Sequence, residues 1–165
     1  MKRFLPVAIV AAIAAWAIVR LAVDPLRCDL ALRETIARTA LAEAAPSEYE
    51  TVVLVRENLE RLAPWRERCP WSDEVHFTIA SNLSLIKRYD DAVDEFREAL
   101  KYDQRPEYYI ALGLALVDAG RDDEAVDAFT TAARFNVALV ARHVVREDLR
   151  DRIGAKLAEP SATSP

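Results

Sequence analysis

Tyr89-Asp90-Asp91-Ala92-Val93-Asp94-Glu95-Phe96 returns, offset by 33 residues, as Asp122-Asp123-Glu124-Ala125-Val126-Asp127-Ala128-Phe129. The correspondence runs outward in both directions, pairing Leu83 with Leu116 and Ala99 with Ala132. Apolar positions three and four apart are the spacing of a helix face, and self-similarity at this period marks a repeat architecture. Each unit reads as two helices joined by a short polar connection, at Lys87–Tyr89 in one and Ala119–Arg121 in the other. The remaining composition agrees with helix. The chain has 165 residues, 52% of them hydrophobic and 30% charged, with only 3 glycines, too few for a turn-rich β fold. Gly113, Gly120 and Gly154 stand too far apart to form a phosphate-cradling loop. A net charge of −5 argues against a nucleic-acid binder.

These residues resemble the tetratricopeptide repeat. The unit at residues 106–139 carries Tyr109, Leu112, Gly113, Leu116, Gly120, Ala125, Phe129 and Ala132 at the family's positions. The unit at 73–105 carries Ile79, Ala80, Leu83, Ala92, Phe96 and Ala99. There His76 and Lys87 stand where the family prefers an aromatic residue and a glycine. The small residues let paired helices approach closely, and Phe96 or Phe129 fills the gap beside them. The resemblance implies an all-α solenoid of helical hairpins that works by protein–protein contact, with no cofactor.

Two repeats alone bury too little, so flanking helices are expected as caps. Before the array, within residues 25–72, two helices at 27–44 and 47–63 form a degenerate hairpin bent around Pro46. Val52, Val55, Leu59 and Leu62 keep a helical stripe, and Ser47 with Glu50 resembles a capping box. After the array, residues 140–158 supply a capping helix with a break near Arg146, and residues 159–165 read as a disordered tail.

The leading segment, residues 1–24, differs from the rest. Phe4–Val23 is apolar except for Arg20 and is preceded by Lys2 and Arg3. A helix of that length spans about 30 Å, one hydrocarbon core. The expected role is a retained signal anchor that makes this a single-pass protein of a bacterial-type inner membrane. The cationic flank would stay inside and the repeat domain would be periplasmic. The competing reading is a cleaved signal peptide with Ala15 and Ala17 as its small residues, which would release a soluble adaptor. All 27 acidic residues lie beyond Val23, which leaves the domain no electrostatic reason to bind anionic lipid.

Catalytic chemistry is sparse. His76 and His143 lack Cys or carboxylate neighbours at metal-ligand spacing, and an enzyme is not expected. Asp90, Asp91, Asp94 and Glu95, like Asp122, Asp123, Glu124 and Asp127, fall at helix starts, where the dipole favours carboxylates. His76 reads as a structural histidine at a packing position. Cys28 begins the first hairpin helix and Cys69 follows the second, so antiparallel pairing predicts a disulfide once 64–68 folds back. By resemblance, Phe77, Ser81, Ser84 and Leu85 line the inner groove, with Ile110, Leu114, Val117 and Asp118 as counterparts. The helix from Pro106 to Asp118 is apolar on every side. Phe77, Leu85, Ile110, Leu114 and Val117, with Tyr108 at the rim, are therefore expected to receive an apolar segment of another subunit in a membrane complex, unless the chain's own caps fill the groove.

Overall fold

The computed structural model describes residues 5–159, so the Lys2/Arg3 flank and the tail from Pro160 lie outside the described residues. Helix α1 (Leu5–Ile18) passes through a π-helical segment (Val19–Val23) into α2 (Asp24–Glu43). Helices α3 (Glu48–Arg68), α4 (Asp73–Leu85), α5 (Tyr89–Tyr102), α6 (Pro106–Asp118), α7 (Asp122–Phe135), α8 (Val137–His143) and α9 (Glu147–Ala158) follow. The pairs α2/α3, α4/α5 and α6/α7 are antiparallel hairpins, and each packs on the next.

Local chemistry sets the helix ends. Ser47 Oγ accepts from the Glu50 amide at 3.2 Å, and Ser72 Oγ from the Val75 amide at 3.3 Å. Helices α4 and α6 stop in the same way. The Arg88 amide reaches back to the Leu83 carbonyl and the Arg121 amide to the Leu116 carbonyl, closing the turn over a left-handed residue. That residue is Gly120, φ 74°, in one repeat and Lys87, φ 62°, in the other. The lysine at the family's glycine position thus keeps the glycine's backbone conformation.

Tight approach is visible at Gly113. A Cβ placed there would lie 2.5 Å from the Phe129 ring, and Phe129 is itself fully buried. Ala80 is the equivalent small residue on α4, with Phe96 as the equivalent ring. A single core of Val75, Ile79, Leu83, Phe96, Leu112, Leu116, Phe129 and their neighbours runs through the hairpins and out to Ile153 of α9.

One expectation changes. Helix α3 does not end at Ala63 but continues through Pro64 to Arg68. No fold-back at 64–68 is therefore needed. The helix itself carries Cys69 to Cys28, and the two form a disulfide with Cα atoms 6.8 Å apart. The carboxy-terminal cap consists of α8 and α9, divided close to Arg146. The chain leaves helix at Val144–Arg146, burying Val144 and exposing Val145, and Arg150 Nε donates to the Val144 carbonyl at 2.6 Å. The turn lets α9 run alongside α7 in the same direction, with Arg146 on Asp122 at 2.7 Å, Arg152 on Asp123 and Lys156 on Asp127.

Gly113→Ala is expected to destabilise the protein by about 1–3 kcal/mol, because the buried Phe129 ring has no room to yield; equilibrium urea unfolding measures it. The disulfide closes a sequence separation of 41, and its loss through Cys28→Ser with Cys69→Ser should cost about 4 kcal/mol on the chain-entropy argument. Alkylation without reductant should leave the intact mass unchanged.

Candidate partner-binding groove

Helices α2, α4 and α6 lie on one side of the array, and a hollow of about 350 Å³ opens between them. Ile36, Thr39, Ala40 and Glu43 come from α2, Phe77, Thr78 and Ser81 from α4, and Arg105 and Tyr108 from the start of α6. Phe77 and Tyr108 stack with centroids 4.5 Å apart and planes at 17°, forming one aromatic wall. Phe77 also meets the Phe96 ring at 5.4 Å, which fixes the wall to the core. The Tyr108 hydroxyl donates to Asp73 Oδ2 at 2.8 Å, and Arg105 lies over its ring at 5.2 Å. Burial, then the Asp73 carboxylate, pushes the phenol pKa well above its ordinary value, so Tyr108 is a neutral donor at any physiological pH.

The six groove residues expected from sequence separate into three settings. Phe77 and Tyr108 do line the hollow. Tyr108 is 5% exposed, a wall rather than a projecting rim, because its ring is held between Phe77 and Arg105. Ile110 is 4% exposed and belongs to the core. It is removed from the surface because α5 and α7 flank α6 while α4 touches it. Leu114 is 39% exposed, and Leu85 and Val117 are half-buried. Helices α8 and α9 pack on α7 and leave Leu114 39% exposed, so the carboxy-terminal cap does not cover it.

The α2 wall was not readable from sequence, since that helix carries no repeat signature. Only the 36-40-43 spacing could have pointed to it. Its position is fixed by a buried polar relay. Asn82 Nδ2 donates to Thr39 Oγ1 and to the Thr78 carbonyl, both at 2.8 Å, and Asn58 Nδ2 donates to Asn82 Oδ1 at 3.1 Å. One asparagine thereby joins α2, α3 and α4 where apolar packing alone would leave their register free.

His76 is structural in setting. Its Nδ1 lies 2.7 Å from Glu95 Oε2 and its Nε2 3.2 Å from the Pro70 carbonyl. Its ring stacks on Tyr102 at 6.2 Å, filling the family's aromatic slot. Two acceptors facing two ring nitrogens select the imidazolium, and Arg66 holds the other Glu95 oxygen at 2.6 Å. The Glu95 hydrogen bond raises the His76 pKa against the opposing effects of burial and Arg66. The acidic clusters are engaged in ion pairs, Asp91 with Arg88 at 2.7 Å and Glu124 with Arg121 at 2.8 Å. Among the described residues no three His, Cys, Asp or Glu side chains converge as a metal site.

A raised folded-state pKa means that the His76–Glu95 pair stabilises fully below the ordinary histidine value of about 6.5 and fades as pH rises through the His76 pKa. Proton NMR titration should place the His76 pKa above the ordinary histidine value of about 6.5, and Glu95→Gln should bring it down.

The comparisons with known proteins bear on this fold. The tetratricopeptide-repeat family model matches residues 73–106 and 106–136. Among solved structures the chain is similar to a thermophilic tetratricopeptide-repeat protein of Thermus thermophilus, with 21% identity. That similarity covers 87% of this chain and 69% of the other, with a TM-score of 0.58. No curated protein matches. Likeness at this identity shows the fold alone, and the fold is a helical solenoid in which residues 73–136 match the tetratricopeptide-repeat model twice.

Proposed function

We propose that this chain is a non-enzymatic scaffold for protein–protein contact, anchored in a membrane as an accessory or assembly subunit of a larger membrane or envelope complex. The observation that carries the reading is the apolar path along α4 and α6. It starts at the Phe77–Tyr108 wall and continues over Leu85, Leu114 and Val117, with Leu114 open to solvent. An apolar helix or strand of a partner subunit fits such a path.

The anchor rests on α1. Ile9, Val10, Ile13, Trp16 and Ile18 are all more than half exposed, and the packing of α1 is against the π-helical segment after it. An apolar helix left open along so much of its surface suits a lipid environment. The disulfide supports an oxidising, periplasmic location for the domain. Among the described residues no helix is long and apolar enough to cross a membrane; α1 has 14 residues, about 21 Å. That length favours a second reading, a soluble periplasmic adaptor released by cleavage of the leading segment.

Leu114→Glu is expected to abolish co-purification with the membrane partner while leaving the melting temperature of the domain unchanged. If the variant unfolds, Leu114 belongs to the core and the groove reading fails. Intact mass of membrane-extracted protein separates anchor from adaptor. Protease added to spheroplasts should digest the repeat domain, and a protected domain would reverse the orientation.

A further inference from the structure

The chain crosses the array six times between α2 and α7, and alternate crossings place the joins on opposite edges. Helix α2 leads away from the π-helical segment and α3 returns, so the α3–α4 join lies on the same edge as Val23. The α5–α6 and α7–α8 joins fall on that edge too. The disulfide holds the first of them there. Cys69 is 6.8 Å from Cys28, which stands five residues, about 7.5 Å of helix, beyond Val23.

Each of these three joins presents an aromatic ring. Trp71 is 45% exposed, Tyr102 49% and Phe135 59%. Beyond α1, the described residues include one further exposed Phe, Tyr or Trp, Tyr49, on the opposite edge. That opposite edge holds the helix starts rich in carboxylates, Glu48 and Glu50, Asp90 and Asp91, Asp122 and Asp123. On the near edge, Lys101 pairs with Glu98 at 2.5 Å, and Arg105 with Asp103 at 2.5 Å and Asp73 at 3.2 Å, while Arg66, Arg68 and Arg134 also stand there in the last turns of α3 and α7. This edge offers rings with polar tips or neighbours. Amphipathic rings of this kind partition to the headgroup level of a bilayer.

We infer that the edge bearing Trp71, Tyr102 and Phe135 rests on the membrane surface, and that the repeat domain is held flat against the bilayer interface by ring insertion rather than by charge. The inference depends on the anchored reading above. Continuity with α1 identifies the occupant as lipid, since α1 ends ten residues, about 15 Å of helix, before Cys28, on the edge that also bears Trp71. Contact through rings is compatible with an acidic domain and predicts little sensitivity to salt, unlike a polybasic patch.

The test uses the full chain in phosphatidylcholine vesicles whose acyl chains carry bromine near the headgroup. Trp16→Phe with Trp65→Phe leaves Trp71 as the sole indole, and Trp65→Phe with Trp71→Phe leaves Trp16. Both variants are expected to show blue-shifted emission that brominated lipid quenches, with Trp71 quenching unchanged between low and high salt. Quenching of Trp16 without Trp71 overturns the edge contact and leaves the anchor standing, and a protein partner then becomes the candidate cover for the rings. Quenching of neither indole removes the anchor and this inference together. If Trp65→Phe disturbs the fold, 5-fluorotryptophan in the unsubstituted chain gives the same answer. The Trp71 resonance should then broaden with spin-labelled lipid, and a Trp71 line as sharp as without the label refutes the contact.

Discussion

The close approach of Gly113 to the Phe129 ring is the contact on which the rest of the array depends. Two helices can pack at short distance only where one presents no side chain, and the ring then covers the bare backbone. Ala80 and Phe96 hold the same places in the other hairpin, with a methyl group where Gly113 has none, so the two hairpins share a plan and the second can be laid on the first. Everything the groove requires follows from that regularity. Because α4 and α6 emerge on the same side, Phe77 and Tyr108 can meet face to face.

The ends of the array obey different chemistry. At the amino-terminal end, α2 and α3 run to 20 and 21 residues against 13 and 14 in the repeats, so the 33-residue offset cannot extend into them. Their docking uses the Thr39–Asn82–Asn58 relay and a disulfide in place of the ring-on-small-residue contact. At the carboxy-terminal end, α8 is a 7-residue helix, and α9 is aligned by ion pairs to α7. Exposed pairs contribute little each, so apolar burial of Leu149 and Ile153 supplies most of that cap's attachment.

His76 and Lys87 show how a repeat tolerates departure from its pattern. His76 occupies an aromatic slot by stacking on Tyr102, and its charge is neutralised by Glu95, which couples α4 to α5 and to the loop at Pro70. Lys87 accepts a left-handed backbone so that α4 ends in the same capping motif as α6, while its ammonium reaches Glu48 at 2.6 Å. Geometry is retained in both cases, and the side chain is used elsewhere.

The sequence by itself determined the repeats: helix limits at Asp73, Tyr89, Pro106 and Asp122 follow from a period of apolar residues, and such a period is a property of neighbours along the chain. It also determined the disulfide pairing, because antiparallel helices of known order leave few places for two cysteines. Tertiary structure alone decided which apolar residues of α6 are surface. Ile110 and Leu114 are one helical turn apart and alike in character, yet one is core and the other open, because burial depends on how α4, α5 and α7 lie around the helix. The α2 wall of the groove and the passage of α3 through Pro64 likewise arise from partners distant in sequence. No local pattern encodes them, since the free energy that fixes them appears only when the helices have met.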